Sequence, residues 1–575
     1  RRLRAELGLI LSLGAIVGLG ATSVIFFGVS LFAPQPAWPA AAIEIVLMVA
    51  LAVMLARRAV AIPAVNPPPI PATPPFSWLH WALATVLVQA VAIGAVVVWR
   101  AFRTEPFGGW DGWAIWNLQA RAMVRGGTGW PELLATPELS WTHPDYPKLV
   151  SASVARLWSW SGGEPAAAAG LVSAAFAAAI LGLLVFTLAR LRGRTPALLT
   201  GLLLVSTPFF LSFAPNQHAD LPLAACVLAA VALGALGERW ALAGLCAGFA
   251  AWTKNEGLLF AAVFALGGGW HAWRGGPPRA LPQLLASLAL GLAPVLWLKL
   301  ALAPPNDLLA TPLGPRLAQL LAPDRHRLIL EVLWRDLRGF GEWRVLPFLA
   351  MALPFAAWRG RARLVAGARL LPLALGSMLA GYYVVYLLSP QNLAWHLDTS
   401  LVRLLLQLWP LALVLWGLTF PCRELDSAVP STAQLPTRLA FVGVNTLAAL
   451  ALVPLTTELG DLPALGLAAH PEGGHYIETW RDVPPGGGRG VGTAINFLLQ
   501  GHERSHWHRV DAAEGWFWQG GGPLSLSLSE DGTRLDREIL LGPDLGAGQA
   551  LMGMVPKGWW QAARPVGDRW SLVAC

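Results

Sequence analysis

Charge is what this sequence has least of. Only 13% of its 575 residues are Asp, Glu, Lys or Arg, against 55% hydrophobic residues, and mean hydropathy is +0.54. A water-soluble chain of this size carries about a quarter charged residues, so a wholly soluble globular protein is excluded. Cysteine is also scarce. Cys226, Cys246, Cys422 and Cys575 are scattered, and the first two lie in apolar runs. That spacing excludes a disulfide framework and a cysteine-based zinc site. The formal charge of +8 comes from arginines spread over short loops, so no nucleic-acid partner is expected. The first apolar run is too long for a cleavable leader and is followed by others.

Long apolar runs are what the sequence has instead. Runs at 7–32, 38–56, 78–98, 165–188, 196–213, 221–236, 240–252, 258–270, 281–302, 346–358, 370–388, 404–420 and 439–455 read as about thirteen membrane spans. The segment 62–75 is proline-rich and serves as a connector. Arginines close the runs on one side, at Arg57, Arg58, Arg190, Arg192, Arg194, Arg274, Arg279 and Arg423, which marks that side as cytoplasmic. Asp111, Asp220, Lys254, Glu256, His396 and Arg403 then emerge together on the other side.

The loop after the third run carries the stretch FGGWDGWAIWNLQARAMVR, residues 107–125. Its apolar positions, Trp113, Ile115, Trp116, Ala120, Met123 and Val124, fit one helical face. Asn117, Gln119, Arg121 and Arg125 fall off that face, which predicts a helix lying flat at the interface. Trp110, Trp113 and Trp116 flank Asp111, and tryptophan favours that depth. Further along, His143, Asp145 and Lys148 cluster between prolines, with a second flat helix expected over 147–160. Carboxylates beside cations at one membrane face suit chemistry on a phosphate-linked lipid. Arg and Lys would hold the phosphate, and a carboxylate would take the proton from an attacking hydroxyl or amine.

The order WDGWAIWNLQAR, HPDYPKLV, QHADLPLA, WTKNEG and HLDTSLVRLLLQLWP resembles the GT-C superfamily of polytopic glycosyltransferases. The likeness is to the branch with protein O-mannosyltransferases and the aminoarabinose transferase of lipid A, and it covers residues 1–456. It implies transfer of a sugar from a polyprenyl-phosphate donor to a lipid, glycan or protein acceptor, on the periplasmic face of a bacterial inner membrane. Asp111 and Asp220 would be the catalytic carboxylates. Lys254, Arg403 and His396 would serve the donor phosphate, with His143, Asp145, Lys148 and Glu256 as further candidates. The family often has two adjacent acids in its first loop, whereas here Gly112 follows Asp111. A non-catalytic transporter or flippase of lipid-linked sugars is the competing class. It should place charges inside the spans, whereas here they read as lying at span ends.

Residues 457–575 differ in composition. The apolar spans stop, charge rises, and short strands separated by glycine turns are expected over 491–499, 505–510, 524–529, 537–541, 551–555 and 569–573. PLSLSLS alternates with period two, as a half-buried strand does, and many short strands predict a small β-sandwich or barrel, with its final strand at the end of the sequence. His506 and His508 are spaced to face the same way on a strand. HPEGGHYIETWR, GTAINFLL, SHWHRVDAAEGWFW and VPKGWWQAAR resemble the cupin-5 (DUF985) family over 462–575. In cupins an HxH pair, a Glu and a later His bind a divalent metal. The resemblance implies His506, His508 and Glu514 as ligands, with Gln561 standing where the last His would be. The fold class expected is therefore a polytopic α-helical membrane protein followed by a cupin-like all-β domain. A junction of two unrelated reading frames is the remaining alternative.

Overall fold

The computed structural model describes residues 2–34, 36–61, 78–237, 239–304, 319–340, 366–419, 467–482, 490, 492–567 and 569–575. Its contacts divide the chain into two units, Arg1–Thr456 and Thr457–Cys575, and each is taken by itself.

The first unit is helical. Helices α1 (Arg2–Ser30), α2 (Ala37–Ala61) and α3 (Trp78–Thr104) lead into a non-spanning stretch. That stretch holds a π-helical turn (Gly112–Trp116), α4 (Asn117–Arg125), α5 (Trp130–Leu134) and α6 (Leu149–Ser161). Then come α7 (Ala166–Leu191), α8 (Arg194–Val205), α9 (Pro208–Phe213), α10 (Asp220–Leu236), α11 (Trp240–Thr253), α12 (Glu256–Gly275) and α13 (Ala280–Trp297), the last continued by a π-helical turn (Leu298–Leu302). After these come α14 (Pro323–Gly339), α15 (Leu370–Leu388) and α16 (Leu393–Thr419).

Six segments are long and apolar enough to cross a membrane: Leu7–Ser30, His80–Thr104, Ala166–Leu191, Ala280–Leu302, Leu370–Leu388 and Leu393–Thr419. Shorter apolar helices cover Ala37–Ala50, Arg194–Val205, Asp220–Leu236 and Trp240–Thr253. The described residues therefore do not supply the expected count of about thirteen. Two expected spans, 346–358 and 439–455, lie outside them, as does Cys422.

Two other differences have local causes. The run 196–213 divides into α8 and α9, because Thr207 is extended and Pro208 opens a new helix. Proline lacks the N–H that would continue the first helix and disfavours helical geometry in the residue before it. The run expected to begin at 404 instead begins at Leu393, where the Asn392 side chain accepts the Trp395 N–H at 3.1 Å. A side-chain oxygen meeting an otherwise unpaired N–H of a helix's first turn is a capping interaction. Arg403 therefore sits inside α16 and not in a loop.

The bundle is built around α10, which is buried from Asp220 to Ala235. A helix apolar on every side has no solvent or lipid face to present, and α10 packs on α7, α11 and α16. Close approach of α11 and α13 is set by glycine. A Cβ on Gly248 would stand 2.6 Å from the Gly291 Cα, a distance only paired small residues permit. The stretch 112–161 also packs into protein. Trp116, Ala120 and Met123 are buried, as is α6 from Leu149 to Ala155, so neither helix floats freely at an interface as the sequence suggested. Trp110 and Trp113 stay exposed.

The second unit is all-β. One six-stranded sheet has the order β1-β2-β3-β10-β5-β8, and a four-stranded sheet has the order β4-β9-β6-β7. The strands are β1 (Ala468–Ala469), β2 (His475–Arg481), β3 (Thr493–Leu499), β4 (Ser505–Arg509), β5 (Glu514–Gly521), β6 (Leu524–Ser529), β7 (Arg537–Leu541), β8 (Met552–Val555), β9 (Trp560–Pro565) and β10 (Ser571–Ala574). Leu524, Leu526 and Leu528 alternate into a core with Phe497, Trp516, Ile539, Leu541 and Val555. The serines between them were expected on a solvated face. Ser525 and Ser529 are buried instead, because β6 lies between β7 and β9, and Ser525 donates to Glu538.

The glycine contact between α11 and α13 is open to test. Gly248→Val should remove the full chain's monodisperse peak in detergent size-exclusion chromatography. Gly14→Val, at a position with open space around it, should leave that peak intact.

Candidate functional site

The loop that carries Asp111 is shaped by glycine. A Cβ on Gly108, where φ is +77°, would meet the Asn216 carbonyl oxygen at 2.3 Å, and one on Gly112 would meet it at 2.5 Å. A Cβ on Gly109 would stand 3.2 Å from His218 Nε2. No side chain fits at the first two positions, so the loop lies flat on segment 216–218. The same contact leaves no room for a side chain at position 112 beside Asp111. Asn117 Nδ2 closes the same junction, donating to the Phe107 carbonyl at 3.0 Å and to Gln217 Oε1 at 2.7 Å.

Against that loop the sequence's two carboxylates meet. Asp220 is fully buried at the start of α10. Its Oδ1 accepts from Lys254 Nζ at 3.1 Å and Gln407 Nε2 at 2.6 Å, and its Oδ2 accepts from Arg403 at 3.0 Å. Arg403 also donates to Asp111 Oδ2, and Lys254 reaches Glu256 Oε1 at 3.0 Å. Tyr382 donates to Gln407 Oε1 at 2.8 Å and fixes which end of that amide faces Asp220. Asp111 and Arg403 are each 19% exposed, while Lys254 is 8% exposed. Residues far apart in sequence thus form one ion cluster, partly exposed at Asp111 and Arg403. His218, passed over as a site residue in the sequence, lies against it. Its Nδ1 is 3.9 Å from Asp220 Oδ2, and neither ring nitrogen has a hydrogen-bond partner among the described residues. Burial, and next the Arg403 charge, push its pKa down to about 4, so the ring is neutral near pH 7.

A second ion pair adjoins the first. Asp145 Oδ2 accepts from Asn255 Nδ2 and from Lys299 Nζ, both at 3.0 Å. Because Asn255 lies between Lys254 and Glu256, the TKNEG segment serves both clusters. Lys299 gave no signal in the sequence beyond being a lone cation at the end of an apolar run.

The remaining candidates take their hydrogen bonds and ring contacts from other residues, although Lys148 lies close enough to Asp145 and Lys299, and His396 to Glu256 and Lys254, to feel their charges. His143 has φ of +52°, and its ring stacks on Tyr146, which stacks on Trp116. His396 Nδ1 bonds Ser389 Oγ at 2.8 Å, and its ring packs on Tyr386. Lys148 is fully buried and bonds only neutral oxygens, Gln119 Oε1 and the Pro144 carbonyl, each at 2.9 Å. Gln119 also donates to the carbonyls of Thr142 and His143. Expected on a solvated helix face, it is instead the clamp that ties α4 to the following loop.

In the β unit, pairing of β4 with β9 shifts register between Ser505 and His508. A bulge of this kind turns neighbouring side chains away from strict alternation, so His506 is exposed while His508 turns inward. His508 Nε2 lies 3.1 Å from Glu472 Oε2, and His470 Nδ1 lies 3.7 Å from the same atom. Gln561 Nε2 donates to Glu514, and Trp516 Nε1 donates to Gln561 Oε1 at 2.9 Å.

The family model described as "Cupin superfamily (DUF985)" matches residues 462–575. Residues 462–575 belong to this cupin family. A crystal structure of a protein from Shewanella oneidensis is 34% identical over 20% of this chain and 72% of its own, with a TM-score of 0.19. A hypothetical protein from Leishmania major is 29% identical over 20% of this chain and 76% of its own, with a TM-score of 0.18. No curated protein matches the chain.

The cupin unit does not fit the expected metal set. His506 points out, His508 is engaged by Glu472, and both ends of the Gln561 amide are committed, one of them to Glu514. Among the described residues no three His, Cys, Asp or Glu side chains are grouped to hold a metal ion. His470 and Glu472, not considered as ligands in the sequence, are the polar neighbours that His508 has. Four of the unit's strands, β1, β2, β5 and β9, have no counterpart among those expected from sequence. The aromatic runs HYIETWR (β2) and EGWFWQGG (β5) were legible as strands, whereas WQAARP (β9) carries little strand signal.

Lys148 gives the first unit a pH signature. Burial pushes its pKa down to about 7 from an ordinary lysine value of 10.5. The folded state therefore binds fewer protons than the unfolded one between those values, and stability rises with pH across that window. Below about pH 7 the cost of burying the charge is present in full. Melting temperatures of the full chain should accordingly rise from pH 7 to pH 10 relative to those of Lys148→Met. Parallel curves for the two proteins would show that Lys148 is not the titrating group.

Proposed function

We propose that the helical unit is a GT-C-type glycosyltransferase. It moves a sugar from a polyprenyl-phosphate donor to a hydroxyl or amine acceptor on the outer face of a bacterial inner membrane. The observation that carries this reading is the ion cluster of Asp111, Asp220, Arg403 and Lys254, in which Asp111 is the partly exposed carboxylate. In the reaction the acceptor oxygen or nitrogen attacks the anomeric carbon. The bond from that carbon to the phosphate oxygen breaks, and polyprenyl phosphate leaves with the electron pair. The acceptor's proton passes to Asp111. Arg403 orients Asp111 through a charge-assisted hydrogen bond. Asp220, with no exposed surface, is a positioning residue that holds Arg403 and Lys254 in place.

A second reading, a non-catalytic transporter of lipid-linked sugars, draws on Arg403 lying inside α16. Charges within membrane-length helices mark transport pathways as well as active sites. Transfer from radiolabelled polyprenyl-phosphate sugars, in membranes holding the wild type or Asp111→Asn, separates the two readings. Loss of the base should lower transfer at least about a hundredfold, with membrane insertion unchanged. Equal transfer by both proteins would remove Asp111 from the chemistry, and no transfer from any donor would favour the transporter.

A further inference from the structure

Lys254 and Arg403 are the cations the sequence offered for a donor phosphate, yet both are already matched. Lys254 holds Asp220 and Glu256, and Arg403 holds Asp111 and Asp220. Three carboxylates against two cations leave this cluster with net negative charge, which repels the single negative charge of a phosphodiester. Lys299 differs. It is about as exposed as Arg403, but its one carboxylate partner among the described residues is Asp145. Asn255 donates to the same Asp145 oxygen, so that carboxylate is steadied without Lys299 supplying all of its bonds. An ammonium has three N–H donors, and the contact with Asp145 uses one.

The local backbone singles out the same residue. Lys299 sits in the π-helical turn Leu298–Leu302, and the other π-helical turn among the described residues, Gly112–Trp116, directly follows Asp111. Such turns are rare and recur at functional sites. Through Asn255 the Lys299 pair is one residue along the chain from Lys254 and Glu256, so it lies beside the cluster with a carboxylate partner of its own.

We propose that Lys299, tethered by Asp145, is the residue that binds the phosphate of the polyprenyl-phosphate donor. This rests on the transferase reading. Lys254 and Arg403 then act inward, on the carboxylates, and Lys299 acts outward, on the lipid phosphate.

The test uses the full chain in lipid nanodiscs and compares binding of undecaprenyl phosphate with binding of undecaprenol. The wild type should prefer the phosphate. Lys299→Met should weaken phosphate binding about ten- to a hundredfold, the size of one charge-assisted contact, and leave undecaprenol binding unchanged. Lys299→Arg should restore the preference. A wild-type preference that survives in Lys299→Met overturns the assignment and leaves the transferase reading standing. No preference in the wild type overturns both. A preference that needs Lys299, in a chain that transfers no sugar from any donor, supports the phosphate site and overturns the transferase reading.

Discussion

The first unit depends on one buried carboxylate. Asp220 has no exposed surface and stands at the head of the most enclosed helix of the bundle. Ionised and unpaired there, it would cost several kcal/mol. It is tolerable because Lys254 at the end of α11, and Arg403 and Gln407 from α16, all donate to it. Each of those groups would in turn lose a partner without Asp220. Packing of α10 against α11 and α16 and construction of the ion cluster are thus a single constraint, and the bundle cannot assemble correctly while leaving the cluster open.

The same economy of contacts governs what surrounds the cluster. The loop 107–112 approaches closely because two of its glycines have no room for a Cβ. Asn117 and Gln119 then fasten that loop and the next to neighbouring backbone carbonyls. TKNEG turns three consecutive side chains to two purposes, with Lys254 and Glu256 toward one ion pair and Asn255 toward the other. Rigid short connections of this kind hold ionised groups in place where long loops would let them drift.

Much of this was legible in the sequence. Scarcity of charge announced the apolar helices, and the grouping of Asp111, Asp220, Lys254 and Arg403 followed from which ends of the apolar runs they occupy. Period-two leucines announced β6, and the cupin motifs marked 462–575. What was not legible depends on contacts between distant segments. Nothing local distinguishes Lys299 from any lysine at a helix end, since its importance lies in Asp145 more than a hundred residues earlier. Lys148 looked like a candidate ligand because nothing beside it in sequence shows that its ammonium is buried against Gln119, 29 residues earlier. His506 and His508 share a face in an ideal strand, but a bulge decided by pairing with β9 parts them.

The position of β10 has a consequence for how the cupin unit comes into being. It is the last strand in sequence, yet it lies in the interior of its sheet, bonded to β3 on one side and β5 on the other. During synthesis β3 and β5 therefore emerge with a gap between them and unpaired edges facing it. Such edges invite wrong partners, and non-local pairings of this kind form slowly. The sheet closes only once Ser571–Ala574 has left the ribosome, so this unit folds after its translation rather than in step with it.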